Sequence, residues 1–196
     1  ELVVREEKLE LLGFAAAVLP VSAQTIATPA DGLIAGEVKV PAKGGNMVAY
    51  RAMPASGGPF PTIIVVSEIW GVHEHIRDVA RRFAKLGYFA IAPELFARQG
   101  DAGKVTDVQA LIRDIVAKTP DAEVMADLDA TVAFAKASGK ADTSRLGITG
   151  FCWGGRTTLM YAAHNAGVKA AVPWYGPVAR NYHPGDKTAL DVAPQI

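Results

Sequence analysis

Cysteine is nearly absent from this sequence: Cys152 stands alone, so no disulfide can form within the chain and the thiol needs another reason to be there. Excess charge is missing too, since 20 lysines and arginines face 20 aspartates and glutamates, and nothing in that balance directs the chain to nucleic acid or an acidic partner. The apolar run from Leu11 to Ala23 is too short to cross a bilayer as a helix, which needs about 20 residues, so no membrane span is expected. Internal repeats and low-complexity tracts are also lacking. What the chain does have is apolar content: half of its 196 residues are hydrophobic, enough for a sizeable core, and the length suits one α/β domain.

Residues 1–35 differ in character from the remainder. The run Leu11–Ala23 ends in the small-x-small pattern Val21-Ser22-Ala23 before Gln24, as an export signal's hydrophobic region and cleavage site do. Against this, Glu1, Glu6, Glu7 and Glu10 outnumber Arg5 and Lys8 where such a signal carries positive charge, and a leader with no export role fits equally well. The expected location is therefore cytoplasmic, or periplasmic if residues 11–23 act as a signal. Thr25 to Gly36, small and polar, reads as linker.

From Glu37 onward, strand and helix patterns alternate. Glu37–Val40 and Met47–Ala52 read as an antiparallel pair turned at Gly44-Gly45. Thr62–Val66 is a continuous β-branched run, the mark of a strand buried on both faces. Ile76, Val79, Ala80, Phe83 and Leu86 share one helical face, and Gly87 stops that helix. After the strand Phe89–Ala92, Thr106 with Gln109 reads as a capping box before the stripe Val108, Leu111, Ile112, Ile115 and Val116. Pro120 reads as the first residue of a further helix with Val124, Leu128, Thr131, Val132 and Ala135 inward. Leu146–Thr149 and Val168–Val172 are the last strands. This alternation predicts a mostly parallel sheet with helices on both faces.

The segment Gly147-Ile-Thr-Gly150-Phe-Cys152-Trp-Gly154-Gly155-Arg156 carries the chemistry. An apolar strand runs into Gly-x-Cys-x-Gly-Gly and straight into a helix, the form of a nucleophile elbow with sulfur in place of oxygen. Glycines flank the turn because the backbone passes too close to its neighbours for a Cβ, and the helix dipole favours negative charge on the sulfur. A lone cysteine is more often a small core residue, but an inert one does not require glycines on both sides.

That motif resembles the dienelactone hydrolase family of the α/β-hydrolase fold. Ser67-Glu68-Ile69-Trp70-Gly71-Val72-His73, Gly87-Tyr88, Ala92-Pro93-Glu94-Leu95-Phe96-Ala97-Arg98 and Trp174-Tyr175-Gly176 lie in the family's order and spacing, and the resemblance runs from about Gly36 to Ile196. It implies a hydrolase of carboxylic esters or lactones with no cofactor, acting on a small, anionic, unsaturated substrate of the aromatic-degradation type. Cys152 would be the nucleophile, and Glu68 would contact the thiol and join in its activation. The backbone N–H groups of Ile69 and Trp153 would form the oxyanion hole.

Glu68 has a plainer alternative, an ion pair with Arg98 or Arg77. Trp70, Trp174 and Tyr175 sit at the edge where α/β sheets bind ligands, although aromatics there also pack, and Arg98 is a candidate receiver of a substrate carboxylate or an ordinary ion-pair residue. His73-Glu74-His75 does not read as a metal site, because positions i and i+2 of a helix face different ways and no third ligand is evident.

The resemblance also implies an Asp and a His that complete the order Cys, Asp, His. Neither is found: His164 lies at the far end of the helix behind Cys152, and His183, Asp186 and Asp191 precede the strand that would carry the Asp. Residues 36–196 are thus expected to be an incomplete α/β-hydrolase domain lacking its last strands, from a longer protein. A non-catalytic binding module and a general carboxylesterase remain the alternatives to a dienelactone-type hydrolase.

Overall fold

The computed structural model describes residues 27–196; the leader and its signal-like run lie outside the described residues. Strands β1 (Leu33–Ala42), β2 (Gly45–Pro54), β3 (Phe60–Val66), β4 (Phe89–Pro93), β5 (Ala141–Phe151) and β6 (Val168–Trp174) form one sheet in the order β1-β2-β4-β3-β5-β6. β1 and β2 are antiparallel to each other and β2 to β4, whereas β4, β3, β5 and β6 run parallel. β1 begins at Leu33, so the last residues of the segment read as linker pair with β2 instead. Thr28 is pinned further back, its N–H donating to Asp78 and its carbonyl accepting from Arg81.

Helices α1 (Glu74–Lys85), α2 (Val108–Asp114), α3 (Asp121–Ala137), α4 (Trp153–His164) and α5 (Ala189–Val192) complete the fold. β3 explains its own composition: Ile64 and Val66 face the main core with α3 and α4, while Val65 faces Ile76 of α1, so both faces of the strand are covered. The α1 side is lined by small residues, Ala52, Ala80, Ala84 and Ala90, around Tyr50. On the opposite face Phe96 and Trp153 lie with ring centres 4.6 Å apart. Burying each such ring contributes about 2–3 kcal/mol, and the aromatic pairing about 1 kcal/mol more.

Helix ends depart from expectation in detail. Leu86 is 73% exposed because α1 stops at Lys85 and the chain turns outward through Gly87 at φ +90°. The cap of α2 is Asp107 rather than Thr106; its carboxylate accepts from the Gln109 and Ala110 N–H groups, a role a carboxylate fills as well as a hydroxyl does. α2 also ends at Asp114, with a 3₁₀ turn at Val116–Lys118 following it. Pro120 is the N-cap of α3, so the helix starts at Asp121, one residue later than expected. Arg156 ties these elements together: fully buried, it donates to both oxygens of Asp121 at 2.8 and 2.6 Å, and to the Arg180 carbonyl at 2.9 Å.

Candidate active site

Strand register brings the candidate residues together. Val66 is level with Gly150, and Gly150 with Pro173, so the chain two residues past each point, at Glu68, Cys152 and Tyr175, leaves the sheet on one edge. That edge is the carboxyl end of the parallel strands, where such sheets bind ligands.

The elbow is strained. Cys152 has φ +53° and ψ −117°, a conformation costing a non-glycine residue about 1–3 kcal/mol, and it serves as N-cap of α4. Hydrogen bonds hold it there: its N–H donates to the Trp174 carbonyl at 3.0 Å, and its carbonyl accepts from Gly155 and Arg156 at 2.9 and 3.2 Å. The glycines answer to backbone, not to side chains. A Cβ on Gly154 would lie 2.5 Å from the Val66 carbonyl, and one on Gly155 would lie 2.5 Å from the Trp174 carbonyl. Because Cys152 spends its own N–H on Trp174, the next one, that of Trp153, has no acceptor among the described residues, and neither has that of Ile69. The Trp153 side chain itself is buried against Phe96, and Ile69 and Trp70 pack on the edge of the same core.

Glu68 meets neither arginine. Its carboxylate lies 3.0 Å from His73 Nε2. Burial pushes the Glu68 carboxyl up, but the hydrogen bond from His73, one from its own N–H and the charges of His73 and His75 outweigh burial and hold it below the usual range. From its spacing alone, His73 reads as part of a helix start. In fact His73 is the extended N-cap of α1, outside the helix, so the i, i+2 argument fails and its ring stacks on His75 at 6.1 Å. His75 in turn meets Phe151 edge-on at 5.9 Å. The recoverable signal was a histidine at the cap of the helix that follows a strand-end carboxylate. Among the described residues, no group of three or more His, Cys, Asp or Glu side chains is arranged to share a metal ion.

The aromatic candidates divide. Tyr175 is 71% exposed with φ +42°, and its phenol is pushed up by partial desolvation and by the neighbouring Glu68 and Cys152. Trp174 serves the elbow through its backbone carbonyl, while its indole donates to Thr149 Oγ1 at 3.1 Å and stacks on Phe151. That ring lines a groove of about 300 Å³ on the α1 side with Val79 and Phe83.

Arg98 is not brought to the site. Its guanidinium donates to both oxygens of buried Asp127 at 2.5 and 2.7 Å and to the Lys43 carbonyl at 2.8 Å, clamping the β1–β2 turn to α3 and leaving no free fork for a substrate carboxylate. No histidine among the described residues hydrogen-bonds Cys152: His164 pairs with Asp129 at 2.8 Å, and His183 lies 3.8 Å from Asp186.

Sheet order and elbow together define an α/β-hydrolase fold, shared with the acylaminoacyl peptidase of Pyrococcus horikoshii at 19% identity and TM-score 0.59 over 75% of this chain and 24% of that one. More narrowly, the dienelactone hydrolase family model matches residues 47–193, and the chain belongs to that family. A Methylorubrum extorquens protein provisionally named carboxymethylenebutenolidase is 67% identical over 179 residues, 91% of this chain and 60% of its own length. A Bradyrhizobium protein provisionally named 2-oxo-3-(5-oxofuran-2-ylidene)propanoate lactonase is 30% identical over 71% of this chain and 55% of its own. A Klebsiella pneumoniae crystal structure, provisionally a dienelactone hydrolase, matches at TM-score 0.80 and 51% identity over 84% of this chain and 69% of that one. The chain thus spans about three fifths of the curated relatives it matches.

Proposed function

We propose that this chain carries the nucleophile and oxyanion hole of an ester and lactone hydrolase. The observation that carries the reading is the strained Cys152, held at a strand-to-helix junction beside two N–H groups without acceptors, those of Ile69 and Trp153. The sulfur attacks the carbonyl carbon, the carbonyl electron pair moves to oxygen, and the two N–H groups donate to that oxygen, with charge stabilisation the largest single contribution to such a step. Glu68 takes the thiol proton. Collapse of the intermediate breaks the carbon–oxygen bond and opens the lactone, the released oxygen takes the proton from Glu68, and a thioester remains on Cys152, which water then hydrolyses to the acid and the free thiol.

His73 is the partner that sets the charge of Glu68, and Trp70 and Tyr175 flank the reacting group. The substrate class is a small unsaturated lactone of the aromatic-degradation type, as the names of the Methylorubrum and Bradyrhizobium relatives suggest. Arg98 has no part in recognising it.

Hydrolysis of a dienelactone and of a short aryl ester, measured beside Cys152→Ala, tests the proposal. Turnover lost in the variant is the expected result. Equal turnover in both proteins would refute the nucleophile, and pocket binding without turnover in either would favour a binding module.

A further inference from the structure

Glu94 follows β4 directly, and its backbone N–H donates to the Val48 carbonyl at 2.9 Å, fixing where its side chain starts. From there the carboxylate reaches the loop that follows β3. Oε2 accepts from the Val72 N–H at 2.8 Å. Gly71, at φ +75°, comes so close that a Cβ on it would lie 2.7 and 2.8 Å from the two carboxylate oxygens, so the carboxylate fills the space of the missing side chain. Val72 is also held through its carbonyl, which accepts from Arg77 Nε at 3.2 Å, and Arg77 is anchored in turn on Glu37 at 2.9 Å. One residue on, the His73 N–H donates to the Gly71 carbonyl at 3.0 Å. The loop between β3 and α1 carries both Glu68 and Ile69, and this is its fixed end.

We propose that Glu94 is a positioning residue: by clamping the Val72 N–H and packing on Gly71, its carboxylate sets the 68–72 loop so that the Ile69 N–H points at the developing oxyanion. This rests on the reading of Cys152 and Ile69 given above. Glu94 touches no reacting atom and acts only through the backbone. Its second oxygen, Oε1, is buried without a partner, and the residue lines a cavity of about 440 Å³ together with Tyr50, Arg77 and Asp101. Burial, with Asp101 adding to it, pushes this carboxyl up. Accepting from the Val72 N–H requires an oxygen at that position and not a negative charge. Glutamine therefore replaces glutamate in the role, and alanine does not.

The test uses Glu94→Ala and Glu94→Gln with three readouts: amide hydrogen exchange at Val72, pre-steady-state acylation by an aryl ester, and alkylation of Cys152 by iodoacetamide, a displacement that forms no oxyanion. In Glu94→Ala, Val72 exchange rises and acylation falls, each by about tenfold or more, since removing one oxyanion donor outright costs roughly 100-fold. Alkylation stays within about twofold, and Glu94→Gln restores exchange and acylation. Unchanged Val72 exchange or unchanged acylation in Glu94→Ala would overturn the proposal, as would alkylation falling in step with acylation, the sign of general damage. A wild-type chain that never acylates, with Val72 exchange still rising in Glu94→Ala, would refute the thioester reading and leave the clamp standing.

Discussion

Two residues carry the proposed chemistry, and each is held by something specific. Cys152 occupies a conformation that an L-residue adopts only when its surroundings enforce it, and the Trp174 carbonyl and the first turn of α4 are those surroundings. His73 helps to hold the Glu68 carboxyl below its usual range. For a carboxylate with a depressed folded value, the stabilisation is present above its unfolded value and lost as pH falls through the lower folded one. Removing the partner leaves burial unopposed and raises that value. In His73→Ala, therefore, the acid limb of kcat/KM moves to higher pH while the activity plateau above it is kept. A pH–rate profile checks this, and an unmoved acid limb would mean that Glu68 does not titrate in the reaction. Cys152 was legible in the sequence because glycine spacing reports backbone crowding directly. The pairing of Glu68 was not, because it depends on His73 standing one residue outside α1, and element ends are the least legible feature of a sequence.

At the scale of elements, hydrophobic periodicity was enough to locate β1 to β6 and α1 to α4, and β3 was identified as doubly buried from its composition alone. The helix ends slipped by a residue or so, since Asp107 and Thr106 are chemically equivalent caps and only the fold chooses between them. Of the two roles open to Arg98 in the sequence, the fold favours the ion pair. A motif marks it out, yet its partner Asp127 lies on a helix far along the chain, and α3 presents that carboxylate in the core, 1% exposed. Arg98→Ala strands that buried charge and is expected to cost about 2–3 kcal/mol of stability. KM for an anionic lactone stays within about twofold, because no substrate contact is lost, whereas losing a charge-assisted contact would raise it well over tenfold. Denaturant melts with steady-state kinetics on the same variant separate the two. A raised KM with unaltered stability would return Arg98 to the substrate.

Across the whole molecule, the sheet acts as the ruler for the site. Parallel pairing of β3, β5 and β6 brings Val66, Gly150 and Pro173 level, and the residues just beyond them meet at one edge. No local pattern encodes that register. It follows from the order β4-β3-β5-β6, and right-handed crossovers make such an order natural for alternating strands and helices. Trapping the acyl-enzyme tests the central claim most directly: mix the protein with a short aryl ester, quench in acid within the first turnovers, and weigh the intact chain and its peptides. The account predicts the mass of one acyl group on the peptide containing Cys152, labile to hydroxylamine as a thioester is, and none in Cys152→Ala. Hydrolysis that proceeds with no adduct on that peptide, or that survives in Cys152→Ala, would contradict it.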